Sequence, residues 1–396
     1  MYQIIGKNMK FYPPLLTSWN SKQKTVLAVA VVSVAFNILV VLPYVGHYYS
    51  RLEEKVFPQE YFEMETPDKE ILDKVCEATL QLDGVRMPRY GSRGLPIDIR
   101  MFFHSRKQKK NDFYASYAMV GVSYYAIFQK DSITMNALRD KANGFIDLDN
   151  STLNYKIEKI DQVSIGLLFL NLYRWYQDEH YLKIAEELLL DIERFMDKDG
   201  VVRYTVEDRP DGYLVDALGM YIPFLMEYFQ ITGDSVAYHI AEHNMEVYYE
   251  RGVNHVTGLP AHGYNKDTGL HLGSANWGRG IGWYLFAAAF CPQFDASVLQ
   301  ESLIKMEYTQ FPGSSSEFDS STAIMFEIYK QSKDFTRCLS LDFIKTHVLK
   351  TGFVDDCSGD TYYLNSYSGT FGESSLCNGL LLILASRFSH IHHNVN

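Results

Sequence analysis

The sequence has no clustered excess of basic residues. Its 396 residues include 37 Lys and Arg against 48 Asp and Glu, which gives a formal net charge of −11. A surface that binds nucleic acid needs grouped Lys and Arg side chains to meet the phosphates, so the charge argues against a nucleic acid partner. An anionic substrate is still allowed, because one buried Arg outweighs a diffuse surface charge at contact distance.

Cysteine is scarce and widely spaced. The five residues include no C-x-x-C pair, and their number is odd: Cys76, Cys291, Cys338, Cys357 and Cys377. This spacing indicates neither a disulfide framework nor a zinc site. Cys357 and Cys377 could pair if the domain is exported, but free buried thiols are the favoured interpretation.

The P-loop, the G-x-G-x-x-G fingerprint and the G-x-S-x-G elbow are all missing. An H-x-x-E-H pattern, as in inverted zinc proteases, is present at residues 239–243. It lies on a polar stripe that continues through Glu246 and Glu250, so we interpret it as the solvated face of a helix.

Apolar and aromatic residues are abundant, at 47% and 14% of the chain. A chain of this size and composition can bury a large core, as one big domain or two. The 29 Tyr and 24 Phe are typical of proteins that handle carbohydrates, although most of these rings are expected to pack in the core.

Residues 25–45 form one apolar run. As a helix this run reaches roughly 30 Å, the thickness of the hydrocarbon core of a bilayer, and it predicts a transmembrane anchor. A cleaved signal peptide is less favoured, because no small-residue cleavage site follows. Four Lys precede the run, which predicts a single-pass membrane protein with residues 1–24 in the cytoplasm and the catalytic domain outside. Residues 46–65 are then a stalk, and residues 66–396 the globular domain.

The globular part repeats a helical pattern. Residues 173–185 resemble residues 228–241, and weaker copies occur at residues 125–131 and 326–334. Each copy ends an apolar helix, turns through polar residues and starts a second helix. About six such hairpins of roughly 50 residues fill the domain, which favours a closed double ring of helices over an open solenoid.

The most informative local motif is W-G-R-G-I-G-W at residues 277–283. The guanidinium of Arg279 matches a carboxylate bidentately, and the faces of Trp277 and Trp283 suit the C–H surface of a sugar ring. The alternative is a glycine-rich turn whose two Trp rings fill the core.

Asp216 is a candidate general acid, because it stands between apolar residues on both sides. Burial there would raise its pKa and keep a proton on it near neutral pH. The alternative is a helix N-cap.

Asp161 directly precedes an apolar helix one repeat before Asp216. N-capping of that helix is a strong alternative role for Asp161. In a closed ring of helices, however, Asp161 and Asp216 would lie at the same rim. His262 and Tyr264 lie in a loop before the Trp-Arg motif and are candidate ligand contacts.

Together these motifs resemble the unsaturated glucuronyl and rhamnogalacturonyl hydrolases of glycoside hydrolase families 88 and 105. The resemblance covers about residues 110 to 385 and rests on W-x-R-G-x-G-W at 277–283, H-G at 262–263, V-D-x-L-x-M around Asp216, and Asp161 ahead of L-L-F-L-N-L-Y. It implies an all-α fold, the (α/α)6 barrel, acting on acidic oligosaccharides that end in a 4,5-unsaturated uronic acid.

The resemblance also implies roles for the residues, with no metal and no cofactor. Asp216 would protonate C4 of the vinyl ether and activate the water that adds at C5, with Asp161 as the second acidic residue. Arg279, Trp277, Trp283 and His262 would form the substrate-binding wall. Ile281 departs from the polar residue usual in these families, which removes one hydrogen-bonding group from the expected substrate site. Two alternatives stay open: another hydrolase or lyase of acidic glycans on the same toroid, and a non-catalytic protein of glycan binding or polysaccharide assembly.

Overall fold

The computed structural model of the chain describes residues 20–37, 59–88, 112–275, 277–305, 319–334, 338–359, 361, 363–365, 367–368 and 371–388. These residues fall into two compact units. The first contains residues 20–37 and residue 59, and the second contains every other described residue.

Helix α1 (Ser21–Phe36) is the one helix described in the first unit. Asn20 caps it in a capping box with Gln23, and its valine side chains are exposed to solvent. Within the described part of the chain, no helix combines the length and apolar character needed to cross a membrane. The predicted span of residues 25–45 is therefore not supported by the described residues, and its last eight residues, 38–45, lie outside them.

The second unit is mostly helical, as the sequence predicts. Its helices are α2 (Asp68–Leu80), α3 (Phe113–Gln129), α4 (Ser132–Asn143), α5 (Gly166–Tyr176), α6 (Glu179–Glu193), α7 (Val215–Thr232), α8 (Ser235–Gly252), α9 (Gly278–Phe290), α10 (Ser297–Lys305), α11 (Ser320–Lys333) and α12 (Ser375–Arg387). Two 3-10 helices are η1 (Ile160–Ile165), which runs directly into α5, and η2 (Lys345–His347).

Six of the described helices close a ring. Helices α3, α5, α7, α9, α11 and α12 pack each against the next in that order, and α12 packs against α3. Every residue of α9 is buried, whereas α6 buries one stripe, as expected for an inner helix and an outer helix. Helices α4, α6 and α8 each pack on the inner helix that precedes them. The inner helices therefore form a closed ring and not an open solenoid.

The joint between α3 and α12 depends on two glycines. A Cβ placed on Gly121 would lie 2.3 Å from the carbonyl oxygen of Gly379, and a Cβ on Gly379 would lie 2.0 Å from that of Tyr117. Because no side chain fits at these distances, the two backbones touch directly at this crossing.

The repeated sequence pattern corresponds to the turn from an inner helix to an outer helix. In three of its copies the outer helix starts after an Asp N-cap, Asp131, Asp178 or Asp234, whose carboxylate accepts a backbone N–H. The copy at residues 326–334 covers the end of α11. All of these turns leave the carboxyl ends of inner helices, so the amino ends lie together at the opposite face of the ring.

Short antiparallel strands precede several inner helices at that opposite face. Strands β1 (Ile146–Asp147) and β2 (Thr152–Leu153) pair, as do β6 (Cys357–Ser358) and β7 (Phe371–Gly372). Strands β3 (Tyr213–Leu214), β4 (Gly263–Tyr264) and β5 (His271–Leu272) form a three-stranded sheet, with Leu214 opposite Gly263. The sheet fixes the start of α7 relative to the loop that leads to α9.

A buried ionic cluster lies inside the ring near the carboxyl end of α7. Glu227 is fully buried and contacts Arg174 of α5 and Arg387 of α12, whose Nε donates to Glu227 Oε1 at 2.9 Å. Helices α7 and α12 are opposite members of the ring, so this contact crosses its interior. The cluster therefore fills the interior of the helix ring (the bore) at the end opposite the strands.

Two expectations about smaller features have different outcomes. Cys357 of β6 and Cys377 of α12 form a disulfide, so the interpretation of these two as free thiols is wrong. The residues lie on separate elements, and their spacing carries no local signal of pairing. The H-x-x-E-H segment lies on α8 with His239 and His243 exposed, which confirms its interpretation as a solvated face.

Candidate active site

Asp216 lies in the first turn of α7, at the strand-bearing face of the ring. The N-cap position is Leu214, so Asp216 is not the N-cap. Its side chain is half-buried, but Oδ1 is fully buried and has no hydrogen-bond partner among the described residues. Burial raises the pKa of Asp216 to about 7; the charge of Asp161 adds to this rise, and the positive charge of Arg279 opposes it. The carboxyl group is thus able to hold a proton near neutral pH.

Asp161 lies in the first turn of η1, and the structure brings it close enough to Asp216 for its charge to act on that residue's pKa. The N-cap of η1 is Lys159, so Asp161 is not a cap either. Its Oδ2 accepts a hydrogen bond from the hydroxyl of Tyr204 at 2.7 Å. Burial raises the pKa of Asp161, against the opposing effects of the Tyr204 hydrogen bond and of Lys159.

Arg279 lies in the first turn of α9 and is 3% exposed. Its Nη1 donates to Tyr114 Oη at 3.1 Å and to Ser358 O and Oγ, both at 3.3 Å. Nη1 also donates to Gly359 O at 2.8 Å, and Nη2 donates to Thr361 Oγ1 at 2.6 Å. The positive charge of Arg279 lowers the pKa of both Asp216 and His262.

Behind Ser358 lies Asp319, a fully buried N-cap of α11. Its Oδ1 accepts from Ser321 Oγ at 2.6 Å and Thr322 N at 2.9 Å, and its Oδ2 accepts from Ser358 N at 2.7 Å and Ser358 Oγ at 2.5 Å. Neither Asp319 nor Ser358 was predicted from the sequence as part of the site. Asp319 ahead of S-S-T is a recognisable capping signal, but nothing local connects it to residue 358.

His262 and Trp277 form an aromatic cluster with Tyr367 from the loop after β6. The ring centroids of His262 and Trp277 lie 4.0 Å apart, and Trp277 stacks on Tyr367 at 5.5 Å. His262 Nδ1 is 3.2 Å from Tyr367 Oη. Burial, with the charge of Arg279, lowers the pKa of His262 to about 3, so this imidazole is neutral at physiological pH. The main chain of His262 also accepts from Val215 N at 2.9 Å, next to Asp216.

The other two predicted substrate contacts, Tyr264 and Trp283, contact core aromatic side chains. Tyr264 stacks on Tyr213 at 5.2 Å, and Trp283 packs against Tyr117 at 5.4 Å. Both rings are almost fully buried, as is Ile281. Their roles in substrate binding stay predictions, while the carboxylate pair, Arg279, His262 and Trp277 converge on one face of the ring.

Comparison with known families matches residues 99–302, just over half of the chain, to the family model described as Glycosyl Hydrolase Family 88. A comparison with curated proteins gives no significant match.

Several solved structures share the fold. A glycoside hydrolase of family 105 from C. acetobutylicum ATCC 824 has a TM-score of 0.57 and 16% identity, over 70% of this chain and 93% of that chain. A possible member of family 105 from Klebsiella pneumoniae subsp. pneumoniae MGH 78578 has a TM-score of 0.62 and 13% identity, over 82% and 94%. An unsaturated glucuronyl hydrolase specific for heparin has a TM-score of 0.59 and 15% identity, over 81% and 95%. At these identities the likeness concerns the fold.

Proposed function

The chain belongs to glycosyl hydrolase family 88 and is therefore a glycoside hydrolase, and we propose that it removes a 4,5-unsaturated uronic acid from the non-reducing end of acidic oligosaccharides. The observation that carries this proposal is Asp216, a half-buried acid whose Oδ1 is fully buried, whose pKa is raised by burial to about 7, and on which the charge of Arg279 acts. Such a pair offers a proton donor and a carboxylate-binding cation at one place.

In the proposed reaction Arg279 binds the carboxylate at C5 of the unsaturated sugar. The proton of Asp216 moves to C4 as the C4=C5 double bond breaks, which leaves positive charge at C5 shared with the ring oxygen. Water then adds at C5 and gives its proton to the Asp216 carboxylate, so the acid is regenerated. The resulting hemiketal opens and releases the sugar at C1. The net reaction consumes one water and no other reactant.

The two carboxyl groups have different surroundings, which supports different roles. Asp161 accepts from the Tyr204 hydroxyl at 2.7 Å, whereas Asp216 Oδ1 has no partner among the described residues. A hydrogen bond to a carboxylate favours its charged form, so Asp161 is the better candidate for the ionised member of the pair. Its charge in turn keeps the proton on Asp216.

The shape of the ring supports action at a chain end. Asp216 and Glu227 stand eleven residues apart on α7, about 16 Å along a helix axis, and the ionic cluster of Glu227 crosses the bore at its far end. A sugar that reaches Asp216 from the strand-bearing face therefore meets a filled interior. This arrangement suits a terminal sugar better than the middle of a polysaccharide.

We expect kcat/KM to fall as pH rises through about 7, because the reaction needs the protonated form of Asp216 and that form is lost above its pKa. Initial rates between about pH 5 and 9 measure this fall in kcat/KM, which is the alkaline limb of the pH profile. In the variant Asp161→Asn, the residual activity should show the limb at lower pH, since a negative charge that raises the pKa of Asp216 is gone. A limb at the same pH in both proteins would contradict the coupling of the two residues.

The function itself is tested with a panel of oligosaccharides made by polysaccharide lyases. Hydration of the double bond destroys the conjugated enoate, so its ultraviolet absorbance should decrease when the purified protein is added. If the absorbance stays constant with every member of the panel, the proposed reaction is overturned. Cleavage of saturated acidic glycans would then favour another hydrolase activity, and binding without cleavage a glycan-binding role.

We also propose that residues 25–45 anchor the protein, with the hydrolase domain outside. The apolar run of the sequence supports this, and the Cys357–Cys377 disulfide suits an oxidising compartment. Fractionation of cells that express the full chain should recover it with membranes at high salt, and external protease should reach the domain in intact cells. Recovery of the full chain in the soluble fraction would contradict the anchor.

A further inference from the structure

We propose that Asp319 is a positioning residue, which acts through Ser358 to fix the orientation of Arg279 and thereby the orientation of the bound uronate. The inference rests on the proposed function, because it assigns Arg279 to the substrate carboxylate. It concerns a residue that lies on a different inner helix from Arg279 and is joined to it through the hydroxyl of Ser358.

The direction of the hydrogen bonds follows from their donors. Two backbone N–H groups, of Thr322 and Ser358, can only donate, and both point at the Asp319 carboxylate at 2.9 and 2.7 Å. Both oxygens of the carboxylate therefore act as acceptors. The Ser358 hydroxyl, 2.5 Å away, therefore donates to Asp319. Its oxygen lone pairs then face Arg279 Nη1 at 3.3 Å.

The hydrogen bonds from Asp319 through Ser358 to Arg279 link the charges of the two residues as well as fixing their geometry. The guanidinium is 3% exposed and Asp319 is 0% exposed, so both charges have lost most of their hydration. The Asp319 carboxylate stabilises the buried cation of Arg279. It contacts Arg279 through the hydroxyl of Ser358, which lies between them. The geometry thus holds the guanidinium plane in place against the side that carries Ser358, Gly359 and Thr361.

Ser358 is itself fixed from two directions. Asp319 holds its N–H and its hydroxyl, and the neighbouring residue Cys357 is joined by the disulfide to α12. The short strand β6 therefore has little freedom relative to α11 and α12. A rigid backbone at this point gives Arg279 fixed acceptors, which hold its guanidinium in one orientation.

The test measures binding by calorimetry with an unsaturated uronyl disaccharide, in an Asp216→Asn background that slows turnover. Asp319→Asn should weaken binding by about tenfold, because the amide presents a donor where the carboxylate accepts two bonds. Ser358→Ala should weaken binding similarly, and the double variant should be no weaker than the worse of the two. The matched control is Asp234→Asn, an N-cap of the outer helix α8, which should bind like its parent.

A second measurement separates positioning from simple capping of α11. In otherwise unchanged protein, Asp319→Asn should move the alkaline limb of kcat/KM to higher pH, because a displaced guanidinium no longer lowers the pKa of Asp216. Asn is nearly as good an N-cap as Asp, so a purely structural role predicts parent-like binding and an unmoved limb. Parent-like binding in Ser358→Ala, which keeps the cap intact, would also overturn the inference.

The outcomes for Asp319 and for the function itself are distinguishable. If Arg279→Lys loses affinity while Asp319→Asn and Ser358→Ala bind like the parent, the positioning inference fails and the proposed function stands. If Arg279→Lys also binds like the parent, or the parent shows no binding, the assignment of Arg279 to the uronate fails, and both proposals fall together.

Discussion

Replacing Asp216 by Asn should reduce kcat by about 10²- to 10⁴-fold, the usual value of a general acid–base group. Asn is nearly isosteric with Asp but cannot donate a carboxylic proton to C4. Because Asp216 Oδ1 has no hydrogen-bond partner among the described residues and the N-cap of α7 is Leu214, the substitution should leave the fold intact. The measurement is kcat on the best lyase product, together with the melting temperature.

The binding of substrate provides the internal control for this variant. Asp216→Asn should bind the unsaturated disaccharide with a Kd close to that of the parent, since Arg279, the residue that we propose binds the carboxylate, is unchanged. A variant that retains kcat would remove Asp216 from the mechanism. Loss of kcat with an unchanged melting temperature and an unchanged Kd is the result that the proposed chemistry requires.

Replacing Glu227 by Gln should lower the free energy of unfolding by up to ~3–5 kcal/mol, because it leaves two partly buried guanidinium groups without their shared carboxylate. Arg174 and Arg387 both contact Glu227, which is 0% exposed. The side-chain volume is nearly unchanged, so the loss reports charge and not packing. Chemical denaturation measures it, with the exposed Glu246→Gln on α8 as the matched control, for which we expect a change near zero.

The effect of Glu227→Gln should also depend on pH. Burial alone would raise the pKa of Glu227, but the charges and hydrogen bonds of Arg174 and Arg387 outweigh it and hold the pKa below its ordinary value. A depressed pKa in the folded state stabilises the protein above the pKa of the unfolded chain, and this contribution is lost as pH falls through the folded value. The stability difference between parent and variant should therefore shrink in acid. A difference that is constant down to the lowest pH at which the protein folds would argue against the ion cluster.

The sequence predicted those parts of the fold that are local and repeated. The resemblance between residues 173–185 and 228–241 marks one kind of turn, from the end of an inner helix to the Asp that caps an outer helix. Such a turn involves neighbouring residues, so its pattern is visible along the chain. Asp161, Asp216 and Arg279 were predictable for a related reason, since each stands at the start of an inner helix and the ring brings these starts together.

The contacts that the sequence did not reveal join residues far apart in the chain. Tyr204 reaches Asp161, Asp319 reaches Ser358, and Cys357 pairs with Cys377, each between separate elements. No local pattern records such pairs. Trp283 could not be assigned from the sequence for a different reason. A Trp that stacks on a sugar and a Trp that packs in the core have the same hydrophobic pattern along the chain. The contact of Trp283 with Tyr117 is visible only in the fold.

The glycine crossing between α3 and α12 has a consequence for biosynthesis. It joins the first and last members of the ring, so the ring closes only after nearly the whole domain has left the ribosome. Until then the face of α3 that α12 will cover is open to water and to other unfinished chains. Closure between such distant segments is slow compared with formation of the local hairpins. The interval between synthesis of α3 and arrival of α12 is therefore the period in which the uncovered face of α3 is most open to aggregation.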